Sequence, residues 1–180
     1  MDDLPDRATC EQAATACMCF NMRKAARAIT QLYDAALRPT GLKVTQFSLL
    51  NALHLAGPLP VTVLADVLGT ERTTVTRNLG GLEERNLVRA TQEGGDRRVR
   101  LVALTDDGVA ALAGALPRWE EAQRRAVSAL GGARWDALLP ELAAISALPG
   151  RHGPRAGGAA PTDDLPEEAR PDERRHNDGD

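Results

Sequence analysis

Aromatic side chains are almost missing from this chain: Phe20, Tyr33, Phe47, Trp119 and Trp135 are the only five among 180 residues. The interior must therefore be built from Ala, Leu and Val, which favours close-packed helices over an aromatic-filled β sandwich. Long apolar runs are missing too. None approaches the roughly 18 residues that a membrane helix requires, so no membrane association is expected. The opening residues, Met1 to Arg7, are acidic and lack an apolar stretch, which excludes a secretory signal and points to the cytoplasm. Cysteine is confined to Cys10, Cys17 and Cys19. An odd cluster in one segment cannot staple a fold, and without a second cysteine pair there is no zinc ribbon. Histidine is scarce as well: of His54, His152 and His176, two lie near the C-terminus. No Ser/His/Asp set, phosphate loop or paired-carboxylate site emerges, so neither an enzyme nor a cofactor is expected.

The charge is unevenly placed. Residues 149–180 hold eight acids against five arginines, and so carry the whole net charge of −3. Five prolines, five glycines and few apolar residues there leave nothing to offset ordering entropy, which predicts a disordered acidic tail. Within the neutral remainder, Thr70 to Arg100 gathers seven arginines against five acids.

Thr9-Cys10-Glu11-Gln12 has the form of a capping box, and no Gly or Pro follows until Pro39. One helix from about Cys10 to Leu37 is expected, roughly 40 Å long. Met18, Met22, Ala25, Ile29, Leu32 and Ala36 stripe one face, while Cys19, Ala26, Tyr33 and Leu37 occupy another. Two apolar faces on an overlong helix suggest a subunit partner. A second helix spans Thr45 to Ala56, a third runs from Pro60 to Leu68, and a fourth, capped by Thr70, reaches about Arg85. Leu87–Thr91 and Val99–Leu104 alternate as strands do, around the charged turn Gln92–Arg98. Thr105 caps a long helical region with Pro117 inside it, and a last helix covers about Ala133 to Leu148, across Pro140.

Leu64, Val67 and Leu68 form one inner face, Gly69 a tight turn, and Val75, Leu79 and Leu82 the next inner face. That is helix-turn-helix spacing, in which the second helix offers its outer face to a major groove of double-stranded DNA. The outward residues are Arg72, Thr73, Thr74, Thr76, Arg77 and Asn78. Hydroxyls there suit phosphates or thymine methyls, and arginines suit guanine. Thr-Thr-Val-Thr is a poor helix former, so a helix here answers some demand other than propensity. After it, Arg97 and Arg98 at a loop tip, with Arg100 behind, are placed to reach phosphates or a minor groove. Asp96 is suited to holding Arg98 and leaving Arg97 free.

With these motifs in order, the sequence resembles the MarR family of winged-helix regulators from Cys10 to Leu148. The resemblance rests on TERTTVTRNLGGLEERNLV, then EGGDRRVRLVALTDDG, between long flanking helices. It implies a mostly α fold, a winged helix-turn-helix with a two-stranded β wing and long terminal helices forming a dimerisation region. The expected organisation is a flexible N-terminus at 1–8, dimerisation helices at 9–44 and 105–148, a DNA-binding domain at 45–104 and the tail at 149–180. The resemblance further implies a homodimer on a palindromic operator, repression relieved by an effector, recognition-helix roles for Arg72, Thr73, Thr74, Thr76 and Arg77, and wing roles for Asp96, Arg97 and Arg98.

Cys19-Phe20-Asn21-Met22, Tyr33 and Thr45-Gln46-Phe47 are similar to the organic-hydroperoxide-responsive branch of that family. Cys19 and Tyr33 match its reactive cysteine and the partner subunit's tyrosine; Arg23 and Val44 replace two further tyrosines. Fourteen helical residues set Cys19 and Tyr33 about 21 Å apart, so they can meet only across a dimer. Arg23, one turn on, supplies positive charge, and Cys17 is a candidate resolving thiol. In a regular helix Cys17 and Cys19 point to opposite faces, so a bond between them requires local unwinding. Against this stands Cys19 as a small hydrophobe. A thiophilic metal shared with a partner's cysteine and a small aromatic effector are the other options. From a different class comes a winged helix used as a protein-interaction module without DNA, against which the exposed arginines argue.

Overall fold

A computed structural model of the chain describes residues 6–91 and 101–148. The acidic tail and the wing tip, including Asp96, Arg97, Arg98 and Arg100, lie outside the described residues. The elements run α1 (Arg7–Ala16), α2 (Met18–Leu37), a 3-10 turn (Arg38–Thr40), α3 (Val44–Ala56), β1 (Leu59–Pro60), α4 (Val61–Val67) and α5 (Arg72–Glu83). Then follow β2 (Val88–Thr91), β3 (Leu101–Leu104), α6 (Asp106–Leu130) and α7 (Gly132–Ser146). The fold is mostly helical, as expected.

The expected single helix from Cys10 to Leu37 is two helices. Cys17, at φ −62° and ψ 116°, is extended and separates α1 from α2. A side chain builds the break: Asn21 Nδ2 donates to the carbonyls of Thr15 (2.9 Å) and Cys17 (3.0 Å). Carbonyls orphaned at the end of α1 are thereby satisfied without a Gly or Pro. The helix also begins earlier than expected, at Arg7 inside the segment assigned as flexible, because the cap is Asp6 and not Thr9. Asp6 accepts from the Thr9 amide and hydroxyl, both at 3.0 Å. The Thr9 amide, chiefly, holds the Asp6 carboxyl below its ordinary value.

The core lies where α3, α4, α5, β3 and the first half of α6 meet, and it is aliphatic: Leu37, Leu49, Leu50, Leu64, Val75, Leu82 and Val102 are fully enclosed. Phe47 stacks on Trp119 at 5.9 Å, using two of the five aromatics. The expected two-stranded wing is present as β2 and β3, and β1 adds a third strand to it in the order β1-β3-β2, all antiparallel. Leu59 and Pro60 pair with Val102 and Leu101; Pro60 is tolerated because β1 is an edge.

Outside that core the chain covers little of its own apolar surface. Neither α1 nor α7 buries a residue, and α2 buries only Tyr33 and Leu37. Met18 (59% exposed), Phe20 (55%) and Ile29 (49%) lie open along α2. Of the predicted face Cys19, Ala26, Tyr33 and Leu37, only Tyr33 and Leu37 pack inward, mainly against α6, while Cys19 and Ala26 are exposed, as are Met18, Met22, Ala25 and Ile29 of the other face.

Candidate nucleic-acid interface

The turn between α4 and α5 closes as a Schellman motif. Gly69, at φ +58°, donates to the Asp66 carbonyl (3.1 Å), and Thr70 donates to Ala65 (2.9 Å). Thr70 thus ends α4, and the residue preceding α5 is Glu71 rather than the expected Thr70. Val75, Leu79 and Leu82 anchor the inner face of α5, as the spacing predicted. This hydrophobic anchorage holds Thr73-Thr74-Val75-Thr76 helical against its weak propensity.

The opposite face is open. Arg72, Thr73, Thr76 and Arg77 are exposed and together line a shallow cleft of about 450 Å³. Among the described residues neither arginine has an ion-pair partner. The threonine hydroxyls already donate locally, Thr76 to the Arg72 carbonyl at 2.9 Å and Thr73 to the Glu71 carboxylate at 3.3 Å. Outward they offer methyl groups and lone pairs, so anionic phosphate is left to the arginines. Thr74 is half-buried. Asn78 is too, and it turns toward α3: its Nδ2 donates to the Thr74 carbonyl (3.0 Å) and its Oδ1 accepts from Thr45 (3.4 Å). Asn78 therefore stands apart from the outward set to which spacing assigned it.

The base of the wing is fastened to α6. Thr105 caps the helix by accepting from Gly108 N (3.0 Å) and donates to the Asn86 carbonyl (2.6 Å). Asn86, left-handed at φ 56°, donates to Asp107 (2.9 Å). Arg89 of β2 is exposed.

The thiols and the tyrosine are far less alike in environment than their shared helix suggested. Cys10, Cys17, Cys19 and Arg23 are exposed. Tyr33 is 8% exposed, and its hydroxyl donates to Gln123 Oε1 of α6. Burial pushes its pKa up. Gln123 carried no signal in the sequence, being one polar residue on a long helix. Nor did Asp34, whose Oδ1 accepts from Val44 N at 2.7 Å and so caps α3 from α2. Farther along α2, Leu32 joins Glu121, Arg124, Arg125, Ser128 and Ala129 around an open groove of about 530 Å³. Among the described residues, no helix is long and apolar enough to cross a membrane.

Comparison with known proteins agrees with this architecture. The sequence profile of the MarR family matches residues 40–99. YwoH, an uncharacterised HTH-type transcriptional regulator of Bacillus subtilis (strain 168), is 36% identical over 86 residues, 48% of this chain. The match spans 62% of that relative's length. Among solved structures, the transcriptional regulator MosR of M. tuberculosis in complex with DNA is 39% identical, with a TM-score of 0.65 over 72% of this chain and 93% of that one. The transcriptional repressor CouR of Rhodococcus jostii RHA1, bound to a 23-mer DNA duplex, is 30% identical, with a TM-score of 0.68 over 74% and 95%.

Proposed function

Because the chain belongs to the MarR family, we propose that it represses transcription as a homodimer, each copy laying α5 into a major groove of a palindromic operator. The observation that carries this reading is the outer face of α5, where Arg72 and Arg77 stand exposed, with no ion-pair partner among the described residues, while the opposite face is locked in the core. Each arginine has the fork geometry for guanine or phosphate, and Thr73 and Thr76 present methyl groups suited to thymine. From the sequence, Arg97 and Arg98 of the wing are further candidates for phosphates or a minor groove. The open stripe of Met18, Met22 and Ile29 is the surface a second copy covers, at roughly 1.5–3 kcal/mol for each side chain buried. DNA complexes of MosR and CouR support the docking.

The effector step is thiol oxidation at Cys19. Cys19 lies in the first turn of α2, where amides lack carbonyl partners, and Arg23 follows one turn on. An organic hydroperoxide transfers oxygen to the Cys19 thiolate, giving sulfenate and an alcohol. Cys17 then displaces water from the sulfenic acid to form a disulfide, two electrons having passed to the peroxide. The extended backbone at Cys17 already provides the unwinding such a bond needs. Tyr33 is committed to Gln123, which favours Cys17 over a partner's tyrosine as the group that answers Cys19.

Fluorescence anisotropy on DNA upstream of the chain's own gene tests both layers. Reduced protein should bind tightly, release after stoichiometric organic hydroperoxide and rebind after dithiothreitol, with Cys19→Ser indifferent to peroxide. Binding that ignores peroxide in the wild type removes the thiol step and moves attention to a small aromatic effector in the groove lined by Leu32, Arg125 and Ala129. Failure to bind that DNA or any duplex selected from a random library would sink the repressor reading.

A further inference from the structure

Besides its core face and its outer face, α5 has a third side at Asn78 and Gly81, which Arg85 continues just past the helix end at spacing i, i+3 and i+7. Each member meets the corner that joins α2 to α3. Asn78 accepts from Thr45 (3.4 Å). Gly81 lies so close to Gln46 that a Cβ there would stand 3.4 Å from its Nε2. Arg85, in the turn that follows α5, makes the strongest contact: Nη1 donates to the Gly41 carbonyl (2.8 Å) and Nη2 to that of Thr40 (3.3 Å).

Those two carbonyls end the helical run of α2 and its 3-10 extension, where unpaired C=O groups gather partial negative charge. Gly41 adopts φ +71°, a left-handed turn in which a side chain is strained, and a Cβ on it would meet the guanidinium in ordinary contact at 3.4 Å. A residue just past the end of α5 therefore caps α2 and its 3-10 extension at a corner that turns on Gly41. Arg72, at the other end of α5, is about 20 Å away by helical rise, so Arg85 does not share the outer cleft.

We infer that Arg85 is a positioning residue for DNA binding: it sets the angle of α5 relative to α2 and passes displacements of α2 to the recognition face. The inference rests on the operator reading above. Any shift at the redox end of α2 must arrive at this corner, where Asp34 also caps α3 through Val44 N. A guanidinium across two carbonyls fixes orientation as well as distance, which a single contact does not.

The test uses full-length wild type, Arg85→Ala, Arg85→Lys and Gly41→Ala on duplexes derived from one that wild type selects, with the spacing between half-sites varied. Arg85→Ala should bind about tenfold more weakly, keep the wild-type salt slope because no phosphate contact is lost, and discriminate less between spacings. Gly41→Ala should copy it, and Arg85→Lys should restore part of the spacing preference. Unchanged affinity and spacing preference would overturn the inference. So would a salt slope lowered by about one, the mark of a direct phosphate contact. Hydrogen exchange without DNA supplies an independent readout: in Arg85→Ala, residues 41–46 should exchange faster while Val75 to Leu82 stay protected. Exchange unchanged at 41–46, or faster throughout, overturns the coupling. If wild type selects no duplex, the operator reading fails, and exchange alone still decides whether Arg85 ties the corner.

Discussion

Gly108 of α6 presses against the carbonyl of Leu87: a Cβ on Gly108 would lie 1.9 Å from that oxygen. Leu87 O in turn accepts from Thr105 N at 3.2 Å, so the contact joins the base of the wing to the start of α6. Gly108→Ala must force these two backbones apart. A loss of about 1–3 kcal/mol is expected, read as a lower midpoint in urea unfolding. A variant as stable as wild type would show that the close approach relaxes without strain.

Arg77 and Arg97 should differ in kind. Arg77→Ala is expected to weaken operator binding by about 1–3 kcal/mol and relax base preference, as for a side chain that reads a base edge. Arg97→Ala should lower the salt slope by about one and weaken binding evenly across sequences. Anisotropy titrations at several salt concentrations separate the two patterns; wild-type behaviour in both variants would refute the docking.

Tyr33→Phe removes the hydrogen bond to Gln123 and leaves its amide without that partner. About 1 kcal/mol of stability should go, with the peroxide response of Cys19 intact. The pH dependence follows from the raised pKa of Tyr33. Folding favours the neutral phenol, so its contribution is full below the ordinary tyrosine value of 10.0 and is lost as pH rises through the higher folded value. Thermal melts above pH 10 should therefore fall more steeply in wild type than in Tyr33→Phe. Parallel curves would show that the phenol does not ionise before unfolding.

Removing residues 149–180 should leave operator affinity and dimerisation nearly unchanged, because this segment offers few apolar groups to pack. Sedimentation of the shortened chain checks it. A monomeric or insoluble product would assign the segment a structural part.

What could be read beforehand depended on local patterns. Gly69 between two apolar stripes announced the turn, and Thr105 before two acids announced the cap of α6, because both signals lie within a few residues of their effect. The break at Cys17 depends on an amide reaching back from Asn21 across the gap, which no propensity registers. Strand β1 is two residues whose partners lie some forty positions away, and a proline argued against it. Asn78 reads as outward from sequence because its hydrophilicity fits either a groove or a corner; only Thr45, placed by another helix, distinguishes them. Arg85 looked like one charge among many for the same reason.

The sparse burial of α1 has a consequence for how much of this protein a cell must make. Ten residues with no enclosed side chain form a helix that is marginal in water on its own. In the proposed homodimer its order then depends on meeting another copy, and so on the chain's own abundance. Melting temperature should rise with protein concentration, and a dilute population should fray first at the end that carries the cysteines. Gene dosage would thus tune sensor and structure together.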